Sequence, residues 1–187
     1  MHKNNLNLKG QLLIAMPNIG DQRFNESVIF ICDHTSDGAM GLVINLVQEN
    51  MDFNNILQDL DIPKITSNSI DIQSGGPVDS TRGFIIHSND YYIESTIFVT
   101  KDILVTASID IIKDIANNTG PNKIKFTLGY TGWAAGQLEE EMQQNIWLNT
   151  SAKESLVFST DLKNIWRESV GALGINISYF SSTPGHA

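Results

Sequence analysis

A single cysteine, Cys32, is all the thiol chemistry this sequence holds. An intramolecular disulfide is excluded, and so is a zinc site built on several thiolates. Long hydrophobic runs are missing as well. Stretches such as Leu12-Leu13-Ile14-Ala15-Met16 and Val28-Ile29-Phe30-Ile31-Cys32 fall far short of the ~20 apolar residues a bilayer-spanning helix needs. Behind the lone Lys3 the sequence is Asn-rich and polar, with neither a continuous apolar stretch nor a small-residue cleavage site to suggest secretion. The expectation is a cytoplasmic protein with no membrane partner. Bases are scarce too: 12 Lys and Arg stand against 21 Asp and Glu, a net charge of −9. Such a field repels phosphates, whose neutralisation by Lys and Arg supplies most non-specific nucleic-acid affinity. The closest grouping of bases is Lys123 and Lys125, so direct nucleic-acid binding is disfavoured.

What is present is ordinary globular material. A hydrophobic share of 41% and a charged share of 18% argue against wholesale disorder, and 187 residues suit one well-buried domain. Runs rich in Ile, Val and Phe predict strands near 11–16, 27–33, 40–45, 83–87, 92–99 and 123–130. Several are too uniformly apolar to be half-exposed, which points to a sheet covered on both faces or curled around a core. Helical spacing appears behind Ser108, with Ile109, Ile112, Ile115 and Ala116 on one face. It recurs from near Trp133 through Leu138 and Met142, and from about Asp161 with Leu162, Ile165, Trp166 and Val170. A shorter helix is expected from Asp52 to Leu60. The irregular mixing of these elements predicts an α+β fold: one domain over 1–187, with a mixed, curled sheet, three to four helices and a polar surface tail from about residue 176.

Four segments offer chemistry. Cys32 and His34 close an apolar strand, where strict alternation would point both side chains one way with Cα atoms ~7 Å apart. A neighbouring imidazole lowers a thiol's pKa, although a buried core cysteine is the commoner outcome. His87 ends a second apolar run and would supply a metal ligand beside His34 if the two strands were neighbours; no metal-binding signature accompanies them. Gly75-Gly76-Pro77-Val78 followed by Arg82 joins a backbone that permits close approach to a guanidinium that clasps anions; a tight structural connection explains the same residues. Leu128-Gly129-Tyr130-Thr131-Gly132-Trp133 reads as a strand passing into a glycine-rich turn before a helix, the general recipe for holding a phosphate. Against that, no P-loop ending is present and Glu139-Glu140-Glu141 would repel an anion. Close helix-to-sheet packing, with Tyr130 and Trp133 as rim or core aromatics, is the competing explanation. The three glutamates fan out by ~100° each on a helix, which suits a solvated face better than a metal cluster.

Several segments together resemble the AlgH/YqgE family. They are GQLLIAMP at 10–17, ICDHTSDGAMGLVIN at 31–45, GGPV at 75–78, RGFIIH at 82–87, LGYTGWAAGQLEEE at 128–141 and NIWL at 145–148. One departure is that Asn45 is followed by Leu46-Val47, where the family often has Lys-Pro. The resemblance implies a single-domain α+β fold of bacterial, cytoplasmic origin, and it implies no particular reaction and no cofactor. Members are commonly labelled transcriptional regulators, a label that the acidity of this chain makes physically awkward for direct DNA contact.

With no complete catalytic motif, the leading expectation is a non-enzymatic binding or regulatory protein. It would recognise a small ligand or a protein partner through Gly75, Gly76, Tyr130, Gly132 and Trp133. The alternative is an enzyme with Cys32, His34, His87 and Arg82 around one cleft.

Overall fold

The computed structural model describes residues 7–16, 21–63 and 70–175. The polar tail expected from residue 176 lies outside the described residues. Ten strands form one continuous, strongly curled sheet. They are β1 (Gln11–Ala15), β2 (Val28–Thr35), β3 (Gly38–Val43), β4 (Val47–Asp52), β5 (Asp71–Ser74), β6 (Val78–Ser88), β7 (Thr96–Phe98), β8 (Ile103–Thr106), β9 (Ile124–Ala134) and β10 (Trp147–Ser151). The main path runs β10-β1-β2-β3-β9-β6-β8-β7, with β4 and β5 attached beside β9. Five helices accompany them among the described residues: α1 (Phe53–Asp59), α2 (Ile109–Ala116), α3 (Gln137–Gln143), α4 (Glu154–Val157) and α5 (Leu162–Ala172). The architecture is α+β with a mixed sheet, because β5 pairs parallel to β9 while the other ladders are antiparallel.

β9 is the spine. Its last residues, Thr131 to Ala134, pair with β3, while its first half is held by β5 on one edge and β6 on the other. Packed layers cover both faces of the sheet, which accounts for the unbroken hydrophobic runs. Their residues divide by alternation. Leu12, Ile14, Phe30, Leu42, Phe84 and Ile86 fill the concave interior, closed by Leu156, Ile165 and Trp166 of α4 and α5. Leu13, Ile29, Ile31 and Val43 face the other way beneath Leu138 of α3, and Ile72, Ile85 and Phe126 do so beneath α1 and α2. Each fully buried Leu, Ile or Phe contributes about 1.5–3 kcal/mol relative to an exposed one.

Local signals place the helix starts. The Asp52 carboxylate accepts the Asn55 amide at 3.0 Å while Asn55 Oδ1 accepts the Asp52 amide at 2.8 Å, a reciprocal cap for α1. The Ser108 hydroxyl accepts the Asp110 amide at 3.1 Å and opens α2. Two expectations need correction. The helix predicted from Trp133 begins only at Gln137, because residues 131–134 find strand partners on β3 and stay extended. The strand predicted over 92–99 shrinks to Thr96–Phe98: Thr96 and Ile93 close a turn, with the Thr96 amide donating to the Ile93 carbonyl and the Ile93 amide to the Thr96 hydroxyl, both at 2.9 Å. Among the described residues, no helix is long and apolar enough to cross a membrane.

Candidate functional site

The four residues of the enzymatic alternative occupy separate places. A bulge in β2 between Ile31 and Asp33 breaks strict alternation. As a result Cys32 packs into the concave core with Phe30, whereas His34 turns to the convex side. There its Nδ1 accepts the Leu8 amide at 2.9 Å, which leaves the proton on Nε2 to be shared with Glu139 at 3.2 Å. The thiol and the imidazole therefore do not share a face. Burial pushes the Cys32 thiol far above its usual range, leaving an unreactive core sulfur.

β3 and β9 separate the strands of His34 and His87. The ladder sets His34 level with Ala39 and Trp133, but His87 level with Ile124, nine residues back along β9. At ~3.3 Å per residue that is about 30 Å. Fully buried, His87 donates from Nδ1 to the Ser88 carbonyl and accepts the Thr106 hydroxyl on Nε2, both at 2.9 Å. The Thr106 oxygen in turn meets the Thr96 hydroxyl at 2.8 Å. Arg82 lies elsewhere again, its guanidinium 5.2 Å above the Phe84 ring, which meets Tyr130 edge-on at 5.9 Å. No three His, Cys, Asp or Glu side chains converge as metal ligands among the described residues.

The His87 network carries a pH dependence of known sign. Burial lowers the imidazole's pKa below its ordinary 6.5, outweighing the Ser88 carbonyl and the Asp90 charge, which pull it upward. The unfolded chain thus takes up the proton first. This contribution to stability is complete above pH 6.5 and is lost as pH falls through the folded-state value. Between pH 7 and 5.5, the wild type should lose more stability in urea titrations than His87→Gln does, by at most about 1.4 kcal/mol per pH unit. Equal losses would show that His87 is not the group responsible.

The glycine-rich segments do converge, though not as phosphate loops. Leu128 to Ala134 is strand rather than turn, and Gly75-Gly76 presses directly onto it. The Gly75 amide donates to the Leu128 carbonyl at 2.7 Å and its carbonyl accepts the Val43 amide at 2.9 Å. A Cβ on Gly75 would strike the Gly129 carbonyl, and one on Gly76 the Tyr130 carbonyl. These glycines knit β3 to β9, backbone on backbone.

Immediately beyond that crossing a cleft of about 410 Å³ opens, with Pro77 and Val78 at one side and Thr131, Gly132 and Trp133 at the other. Trp133 and Trp147 form an edge-to-face pair at 6.1 Å, and Phe24 meets Trp147 the same way at 6.0 Å. Both indole N–H groups donate to the same Glu141 oxygen, Oε2, at 2.8 and 2.7 Å, while the Gln137 amide donates to Oε1 at 2.9 Å. Glu141 is thus no member of a solvated face, and the expectation for that glutamate is corrected. Its role was legible only in the i,i+4 spacing from Gln137; its tryptophan partners lie eight residues before it and six after it. The Thr131 hydroxyl is buried in this wall without a hydrogen-bond partner among the described residues. At the mouth Arg23 forks onto Asp21, with contacts of 2.6–3.1 Å. Of the sequence candidates, Gly132 and Trp133 line the cleft, Gly75, Gly76 and Tyr130 form its backbone support, and Cys32, His34, His87 and Arg82 stand apart.

Comparison with known proteins agrees with this architecture. A family model described as AlgH-like matches residues 12–178. A UPF0301 protein of Rhizobium rhizogenes is 44% identical over 188 residues, covering 96% of this chain and 93% of its own. A relative in Rhodospirillum rubrum is 42% identical over 181 residues, covering 96% and 94%. The solution structure of the AlgH protein from Pseudomonas aeruginosa superposes with a TM-score of 0.80 at 35% identity over the whole of both chains. A Corynebacterium diphtheriae protein shares the fold alone, with a TM-score of 0.73 at 17% identity over 98% of this chain and 95% of its own. By sequence along nearly its full length, and by the curled sheet that sequence builds, the chain belongs to the AlgH-like family.

Proposed function

We propose that the protein is a non-enzymatic binding protein, that its ligand seats in the Trp133–Trp147 cleft, and that any influence on transcription passes through such binding rather than through DNA contact. The observation that carries this reading is the Thr131 hydroxyl, buried and without a partner among the described residues in the wall of a cleft of about 410 Å³. A buried hydroxyl without a partner costs about 1–3 kcal/mol, and a ligand's polar group would offset that cost. The volume falls in the ~300–1,000 Å³ range of small-molecule sites, which join apolar walls to a few convergent polar atoms. With the two indoles almost wholly buried, the half-buried Phe24 ring is the aromatic surface the cleft presents, which suits a small flat body carrying one hydrogen-bonding group for Thr131.

The test is a thermal-shift and tryptophan-fluorescence screen of nucleobases, nucleosides and aromatic metabolites on the wild type and Thr131→Val. Valine keeps the shape and removes the orphan hydroxyl. The variant should be more stable by about 1 kcal/mol, raising Tm by about 2–4 °C, and should bind the hit about tenfold more weakly. A library without any stabilising compound, or a hit unaffected by Thr131→Val, would overturn the reading. Duplex DNA should show no gel retardation even at low salt, given the net charge of −9.

A further inference from the structure

Lys125 is the only buried lysine among the described residues, 5% exposed. On β9 it alternates with Phe126, which packs beneath α1 and α2, so its amine is carried to the other face of a strand covered on both sides. There Nζ donates to the Ile44 carbonyl at 3.0 Å and the Ser159 carbonyl at 3.1 Å. An ammonium has three N–H donors, and these two carbonyls use two. Among the described residues no carboxylate lies within ion-pair distance of it. Desolvation draws its pKa down to about 8, so at neutral pH it is still mostly charged, a buried cation lacking a counter-charge. Gln73 stands in the same place, 3% exposed. Its Nε2 donates to the Asp71 carbonyl at 3.2 Å, while its Oε1 is buried without a partner among the described residues. Lys125 and Gln73 line a cavity of about 200 Å³, walled by Ile124, Phe158 and Leu162 with Thr160 at its side. Asp71, the one carboxylate among its lining residues, is solvent-exposed.

We propose that this cavity is a second ligand site, separate from the tryptophan cleft, and that it takes a short 2-hydroxy carboxylate of about the size of lactate. The carboxylate supplies the counter-charge and the acceptor for the third N–H of Lys125. The hydroxyl donates to Gln73 Oε1, and the short carbon chain rests on Phe158 and Leu162. A 2-amino acid fits less well, because its ammonium adds a like charge beside Lys125 and asks for more acceptors than Gln73 offers. The size limit follows from the volume, which is below the ~300–1,000 Å³ of sites for drug-sized molecules.

The experiment is an amide NMR titration of the full chain with L-lactate, flanked by propionate, which lacks the hydroxyl, and lactamide, which lacks the charge. Lactate should give saturable shifts confined to Gln73, residues 124–126, Ser159 and Thr160. Propionate and lactamide should each bind at least about tenfold more weakly. Affinity should fall as pH rises through about 8, where the amine loses its charge. Lys125→Met, which keeps the length of the stem, should abolish the lactate shifts, whereas Thr131→Val should leave them unchanged, so the two sites stand or fall separately. If Lys125→Met does not fold, the pH series and the two analogues on the wild type decide. Absence of saturable shifts up to about 50 mM lactate, shifts centred elsewhere, equal binding of lactamide, or undiminished binding by folded Lys125→Met would overturn the proposal.

Discussion

Alanine at Gly76 is expected to cost more than about 4 kcal/mol and to leave little folded protein. Gly76 has φ +151, a region closed to side chains, and its added Cβ would sit on the Tyr130 carbonyl group. The obstacle is backbone, and that backbone has nowhere to go: β9 is held by β3 and β5 along one edge and by β6 along the other. Gly129 answers from the opposing strand with φ +72 and a Cβ position blocked by the Gly76 carbonyl, so the two glycines are one device. Gly171 on α5 supplies the control, since beyond its own helix backbone and chain neighbours no described residue lies within 4 Å of a Cβ there. Gly171→Ala should stabilise by about 0.5–1 kcal/mol through helix propensity. Soluble yield and urea midpoints of the two variants check the contrast. A Gly76→Ala protein with a near-native midpoint would mean that the crossing is looser than described.

That result bears on how glycine-rich segments are read. GGPV and LGYTG suggest ligand loops when met separately, since each combines conformational freedom with flanking polar or aromatic residues. Packed on one another, Gly75, Gly76 and Gly129 account for each other, and the open cleft lies at the next residues, Pro77 and Val78 on one side and Thr131 to Trp133 on the other.

The parts of the fold legible in the sequence are those governed by neighbours in the chain. The Ser108 cap, the helix opening at Asp52 and the doubly covered apolar strands follow from spacing alone, and the family resemblance carried the fold class. The face of α2 needs one correction: Ile112, Ile115 and Ala116 are buried as expected, but Ile109, in the first turn, is half exposed and Ile111 is buried instead. What escaped depends on contacts between distant segments. The bulge that turns Cys32 from His34 exists because β3 pairs with β2 in two registers. Trp133 looked helical until β3 claimed it as strand. Lys125 is the sharpest case. In the sequence it is only one member of the closest grouping of bases, and it is buried by segments distant in the chain, the Ile44 and Ser159 carbonyls at its amine and Phe158 and Leu162 beside it. Of the site, the tryptophan and glycines were visible; Glu141, Thr131 and Gln73 were not, because an orphan or bridging polar group is defined by what surrounds it.

Glu141→Leu should cost about 3 kcal/mol, and Glu141→Gln only about 1 kcal/mol. The difference isolates what the carboxylate does. Trp133 and Trp147, 6% and 4% exposed, both donate their indole N–H to Oε2. An indole N–H has no acceptor capacity and one direction in which to point. Leucine therefore strands two buried donors at once, whereas glutamine still presents an oxygen to them. The two tryptophans come from β9 and β10, which in the strand order are separated by β3, β2 and β1. Glu141 on α3 thus ties together strands that do not pair in the sheet, and it does so beside the cleft that those rings wall. Urea midpoints rank the variants, and near-ultraviolet circular dichroism of the tryptophans reports whether the ring pair survives. If leucine and glutamine prove equally damaging, it is the negative charge, and not the accepting oxygen, that holds the two indoles in place.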